Sequence, residues 1–206
     1  LAFFERVEQE LAALPGVTGV TAATVRPLSG DNWGTDVGVE GFRREPDTDA
    51  NSRFNLIGPD YFRTFGVPLV AGREFTTADR LAAPKVAIVN EAFTRKFGLG
   101  RNDIGRRIGP GRNDRTLDIE IVGVVRGAKY SDVKQEIPPV FFVPWRQNEQ
   151  GVGSIGFYVR TAGDPAPILR AVPPLVARLD AGLPVEDLKT MTQQVRETVF
   201  LDRMIG

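Results

Sequence analysis

Ile119-Glu120-Ile121-Val122-Gly123-Val124-Val125 is the stretch from which the fold is read. It begins with polar and apolar residues in alternation, the period of a strand with one wet face. It then turns wholly apolar, which predicts a C-terminal half buried on both faces. Val86-Ala87-Ile88-Val89 is a second apolar run of strand type, and Asn90 behind it is placed to cap a helix carrying Ala92, Phe93 and Phe97 as far as Gly98. Around this pair the elements are short. Pro139 to Pro144 gives a strand centred on Phe141 and Phe142. Gly58-Pro59-Asp60-Tyr61-Phe62 puts a proline at the first position of a short helix that Gly66 ends. Thr76 and Asp79 have capping-box spacing, which predicts another single-turn helix. The middle of the chain, 59–144, is thus a mixed α/β segment.

Both ends follow a different pattern. Phe4, Val7, Leu11 and Leu14 recur at helical spacing with Glu5, Arg6, Glu8 and Glu10 on the other face, until Pro15-Gly16 stops the helix. A strand over Val17 to Val25 follows, then a turn cluster over Pro27 to Asn32. Thr35 to Gly41 and Arg53 to Ile57 are strands joined by a long polar hairpin connection. From Ser154 the order is strand, helix, strand, helix. Gly156 to Thr161 is the first strand, and Asp164 with Pro165 opens a helix bearing Ile168, Leu169, Val172, Leu175, Val176 and Leu179. Pro173 and Pro174 inside it cost about 3 kcal/mol each, which predicts a kink or a restart. Val185 to Leu188 reads as the next strand. Thr190 and Gln193 form a capping box for a closing helix that grows apolar through Val199, Phe200, Leu201, Met204 and Ile205. The fold class is α+β, with an outer part from both chain ends, 1–58 and 145–206, and an inserted mixed α/β part, 59–144.

Composition narrows the function classes. The 206 residues are 42% hydrophobic and 25% charged, an ordinary globular composition. Lysine plus arginine number 26 and aspartate plus glutamate number 26, so no net field gathers nucleic acid or anionic lipid. Cysteine and histidine are absent. That removes thiolate nucleophiles, disulfides, the usual zinc and iron ligands, and the commonest general base near neutral pH. A membrane-spanning helix needs about 20 apolar residues, whereas the longest uncharged stretch, Leu11 to Val25, is broken by Pro15, Gly16 and three threonines. No signal peptide is visible, and a start at Leu1 rather than methionine suits a segment cut from a longer protein.

Five motifs stand in order through the middle segment. They are Gly58-Pro59-Asp60-Tyr61-Phe62-Arg63-Thr64-Phe65-Gly66-Val67-Pro68-Leu69, then Ala71-Gly72-Arg73-Glu74-Phe75 with Asp79, then Val86 to Phe93, then Asp103-Ile104-Gly105-Arg106-Arg107-Ile108, and finally Ile119 to Val125. This string resembles the periplasmic core domain of MacB-type ABC transporter permeases, FtsX-like membrane proteins, and especially the duplicated permeases of acidobacteria. The resemblance runs from the opening helix to the closing one. It implies a porter-like outer subdomain with an inserted subdomain, set between two transmembrane helices on the periplasmic side of the cell inner membrane. It also implies a non-catalytic role, in which ATP hydrolysis in the cytoplasm moves the domain against a periplasmic partner or substrate. The implied partners are the chain's own transmembrane helices, a second permease copy or domain, a periplasmic adaptor protein and, indirectly, an ATP-binding subunit. No phosphate-loop motif occurs in the chain.

Several residues invite a sharper reading beside a plainer one. Gly105-Arg106-Arg107-Ile108-Gly109-Pro110-Gly111-Arg112 would suit an anion, but a solvated linker near Asp103 and Asp114 explains it as well. Asp47 with Asp49, or Asp31 with Asp36, lack the spacing of a calcium loop. Glu91 with Asp79 or Asp60 would be a carboxyl pair of the kind glycosidases use, against a reading as caps and surface charge. Tyr61, Phe62, Phe65, Phe75, Phe93 and Phe97 are either an aromatic pocket or the core of a small subdomain, and the core needs fewer assumptions. Trp33 and Trp145 fall in turn-like surroundings where an exposed indole marks a contact surface. The sequence therefore assigns no catalytic, cofactor-binding or metal-ligating residue, and no cofactor. The competing reading is a soluble extracytoplasmic small-molecule-binding or sensory module with its pocket between the two parts.

Overall fold

The computed structural model of the chain describes residues 1–27, 33–45, 47–100, 103–111, 116–127 and 137–205, with side chains to residue 198. Nine strands lie in the order β2-β6-β7-β5-β8-β3-β1-β9, with β4 alongside β7. They are β1 (Val17–Ala23), β2 (Gly34–Val39), β3 (Asn51–Ile57), β4 (Leu69–Gly72), β5 (Val86–Asn90), β6 (Arg107–Pro110), β7 (Ile119–Val125), β8 (Val140–Pro144) and β9 (Gly156–Thr161). The helices are α1 (Ala2–Ala12), α2 (Tyr61–Phe65), α3 (Glu91–Lys96), α4 (Ala166–Leu179) and α5 (Met191–Ile205).

The sheet is mixed. β5 runs parallel to β7 and β3 parallel to β8, while the other pairings are antiparallel. β5 is buried along its whole length. Its residues alternate between two cores: Ala87 and Val89 face one layer with Phe93, Phe97 and Phe141, and Val86 and Ile88 face the other with Tyr61, Phe62 and Phe142. β7 does the same with one irregularity. Ala87 pairs with Ile121 and Ile88 with Gly123, so Val122 is an extra residue. The resulting bulge lets Ile121 and Val124 point to one core and Val122 and Val125 to the other. Fully burying one such large apolar side chain contributes about 1.5–3 kcal/mol, which is why the run reads as continuously apolar.

A third core is separate. Val7 and Leu11 of α1 meet Leu175 of α4 over Val20, Phe157 and Val159 of β1 and β9. β1 touches the large sheet only at its end, where Ala23 opposes Ile57. Beyond it Asn55 clamps the chain: its Oδ1 accepts from Thr24 Oγ1 at 3.2 Å and from the Val25 N–H at 2.9 Å, and its Nδ2 donates to the Val25 carbonyl at 2.8 Å. β2 and β3, which precede residue 59, hydrogen-bond to β6 and β8, which follow it.

Some expected elements differ. No strand forms over Val185 to Leu188, because Asp187 takes a left-handed conformation, φ 51°, and its carboxylate is held by Arg26. α4 is one continuous helix despite Pro173 and Pro174. Both prolines lie on its exposed face, so the carbonyls left without an N–H partner can meet water. Asp164 Oδ1 accepts from the Ala166 N–H at 3.0 Å and caps it as expected. The Thr76 to Asp79 spacing makes a turn and not a helix. The Asp79 carboxylate accepts from the Thr76 N–H at 2.8 Å, but the Asp79 N–H returns to the Thr76 carbonyl at 3.1 Å. α2 begins after Asp60, whose φ is 56°, so Pro59 lies outside it. Arg107–Pro110 is strand β6 and not a linker.

Candidate functional site

Three residues after β8 join the helical layer to the large sheet: Trp145, Arg146 and Gln147, a single 3₁₀ turn. Pro144 ends β8 opposite Ile57, which brings this turn against α1 and the end of β1. Trp145 is fully buried, correcting the reading of this indole as an exposed contact residue. Its ring meets Phe4 of α1 edge-on at 6.5 Å, and the Arg146 guanidinium lies 4.5 Å from the ring centroid, a cation–π contact. A Cβ built on Gly58 would approach the Ala22 nitrogen to 2.9 Å and Thr21 Oγ1 to 3.0 Å, so only glycine lets these strands close over the indole.

Arg146 reaches α1. Its Nη2 contacts Glu8 Oε2 and its Nε donates to Glu5 Oε1 at 3.2 Å. Glu8 and Arg146 are both buried, although Glu8 is read from the sequence on the face opposite Phe4, Val7 and Leu11. Burial pushes the Glu8 carboxyl above the usual carboxylate range; Arg146 pulls it back, and Glu5 and Asp60 push it further up. Gln147 faces the other way. Its Oε1 accepts from the Val86 N–H at 3.0 Å and its Nε2 donates to the Pro84 carbonyl at 2.8 Å. One turn thus holds α1 on one side and the first residue of β5 on the other. Of the buried side-chain polar atoms without a hydrogen-bond partner among the described residues, Thr21 Oγ1, Trp145 Nε1 and Arg146 Nη1 all belong to this joint or its lining.

The residues singled out in the sequence are dispersed. Asp79 binds Arg73 through two 2.8 Å hydrogen bonds, and Asp60 pairs with Arg63. Glu91 lines a shallow groove of about 190 Å³ with Val70, Thr94, Arg95, Leu99, Gly100 and Val124. Asp49 pairs with Lys96 and Asp36 with Arg44, so neither is a free loop acid. Asp31, Arg112 and Asp114 lie outside the described residues. Arg106 is tied to Asp103 and to the Glu40 carbonyl, both at 3.1 Å. The aromatic residues fill the two sheet cores: Phe93 and Phe97 one, Tyr61, Phe62 and Phe75 the other. Trp33 is 44% exposed, 5.8 Å from Phe54. Among the described residues no cluster of acidic side chains is placed to hold a metal ion, and no helix is long and apolar enough to cross a membrane.

The sequence pointed to the helix that carries Glu5 and Glu8 but not to their partner. Arg146 lies 138 positions from Glu8, and the only local signal was a tryptophan followed by an arginine after a short apolar strand.

An α+β domain of this topology is found in the extracytoplasmic parts of ABC-type transporters. The extracellular domain of the noncanonic ABC-type transporter YknZ from Gram-positive bacteria superposes with a TM-score of 0.54 at 19% identity, over 85% of this chain and 80% of that one. The periplasmic region of MacB from Actinobacillus actinomycetemcomitans gives 0.57 at 17% identity, over 85% and 73%. A domain of a permease protein from Porphyromonas gingivalis gives 0.56 at 20% identity, over 88% and 70%. No match is found among curated proteins. Residues 3–174 match the family model of the MacB-like periplasmic core domain, and the chain belongs to that family.

Proposed function

We propose that this domain is a non-catalytic coupling element of an ABC-type permease, which carries conformational change from cytoplasmic ATP hydrolysis to a periplasmic partner or substrate. The observation that supports it most is the joint at Trp145–Gln147, where one helix at the chain's beginning is fixed to the middle of the sheet by a buried guanidinium. α1 is the first element in chain order and α5 the last, positions from which stalks into the inner membrane would run. The layer built from α1, β1, β9 and α4 would then shift relative to the rest of the sheet about the single pairing of Ala23 with Ile57.

In a permease the two terminal helices would join the membrane stalks and pair through outward apolar faces, with each other or with a second copy. α1 buries Val7 and Leu11 inward, whereas α5 leaves Met191 and Val195 exposed. The partner-facing stripe is accordingly assigned to α5, for a second permease copy or a neighbouring stalk. Cysteine crosslinking from Met191 and Val195 in the full-length permease tests this: crosslinks to a second copy or to the opening stalk are expected, and their absence at both positions would refute it.

A small-molecule-binding module is the second reading. The groove at Glu91 and Arg95, about 190 Å³, is lined by residues of 59–144 alone and so is not the pocket between the two parts that this reading requires.

A further inference from the structure

We propose that the seating of α1 on the Trp145–Gln147 turn is proton-linked through Glu8, so that the helix docks more tightly when Glu8 carries a proton than when it is ionised. The inference concerns contacts inside this chain and goes beyond what α1 is attached to in the whole protein.

The geometry is a shortage of positive charge in a buried place. The charged groups facing Glu8 are Arg146 from the turn after β8, Glu5 from its own helix and Asp60 from the turn before α2. Asp60 is already paired with Arg63 at 2.5 Å. Arg146 must therefore serve both Glu5 and Glu8, and its third nitrogen, Nη1, is buried without a hydrogen-bond partner among the described residues. The cluster continues beyond Asp60 to Glu74, whose carboxylate accepts from the Phe62 and Arg63 N–H groups while its Oε2 is buried without a partner. Burial is the largest influence on both Glu8 and Glu74, and the negative charge of Asp60 adds to it, so both carboxyls sit above the ordinary carboxylate range. The cluster has no histidine to titrate in their place, since the chain contains none.

The sign follows from linkage. Undocking of α1 returns Glu8 to water, where its carboxyl titrates near the ordinary value of about 4.3. Docked, it titrates higher. Between these two values the docked state binds more protons, so docking strengthens as pH falls through the docked value. Above it, Glu8 is ionised in both states and the buried cluster carries uncompensated negative charge, which favours release of the helix.

Trp145 is the reporter, because it lies inside the joint, and the partly exposed Trp33 can be removed as Trp33→Phe. In that background, acrylamide quenching of the 206-residue chain is expected to fall at least twofold as pH is lowered from about 7.5 towards the ordinary carboxylate value of about 4.3. Glu8→Gln, which keeps shape and removes the titration, should hold quenching at the low value throughout. Asp60→Asn should move the midpoint to lower pH. A flat profile in the parent, an unchanged profile in Glu8→Gln, or a midpoint unmoved by Asp60→Asn would each overturn the proposal.

Discussion

Gly58 and Trp145 show how much of this domain depends on single side chains meeting at one point. A methyl group at Gly58 would press on the Ala22 nitrogen and Thr21 Oγ1, and backbone cannot yield as a flexible side chain can. Gly58→Ala is expected to cost about 1–3 kcal/mol, the usual penalty of overpacking, seen as a lower denaturant midpoint. Trp145→Ala removes a fully buried indole that touches α1, and should cost about 3–5 kcal/mol in the same measurement. Asp79 gives a prediction of the opposite pH sense from Glu8. Burial alone would raise its carboxyl, but the Arg73 guanidinium and the Thr76 N–H together hold it below the ordinary range. A depressed folded value means that its stabilisation is present above about pH 4 and lost as pH falls through that folded value. Asp79→Asn should flatten the acid limb of the stability profile, and an acid limb as steep as the parent's would refute the assignment. Neither partner choice is written locally. The Thr76–Asp79 spacing is visible, yet that Arg73 and not a helix terminus claims the carboxylate depends on where β4 delivers the chain.

At the scale of elements, the strands were legible and the ends of the pattern less so. β5 and β7 are read directly from their apolar runs because both faces are covered, and α3 from Asn90, whose Oδ1 accepts from the Phe93 N–H at 2.8 Å. That the same Oδ1 also accepts from the Val140 N–H at 3.0 Å, pinning β8, could not be read, since the two residues meet only through the sheet. α4 was legible as a helix but not as an unbroken one. Proline disrupts a helix through a missing N–H and a steric clash, and a solvent-facing position softens the first of these, which sequence alone does not reveal. Replacing Pro173 and Pro174 together by alanine should therefore raise stability by about 1–3 kcal/mol, part of the propensity gain being offset by a freer unfolded chain. A drop in melting temperature would show that the prolines fix a bend the packing needs. The missing strand at Val185 to Leu188 has a similar lesson: its apolar residues suit a strand, but Leu188 remains exposed and Asp187 turns away.

For the whole molecule, the arrangement is a large sheet with two covered faces and a smaller helical layer attached where Ala23 meets Ile57, through the Asn55 clamp, through Tyr158 and Arg160 against α2, and through Arg146. The class of fold was legible in the order of five motifs, which the family match over residues 3–174 shows. The joint was not, because Glu5, Glu8 and Arg146 are brought together only by folding. If the domain couples ATP hydrolysis to movement outside the membrane, Arg146 is where α1 is held to the sheet. The chain has no cysteine, so a spin label placed at the exposed Gln150 would be the only one this domain carries. The deciding measurement is the label-to-label distance between two copies of the full-length permease, with and without ATP, in the parent and in Arg146→Ala. The account predicts an ATP-driven change of distance in the parent that disappears in Arg146→Ala while ATP hydrolysis continues. A parent domain that does not move, or an Arg146→Ala domain that moves as far as the parent, would contradict it.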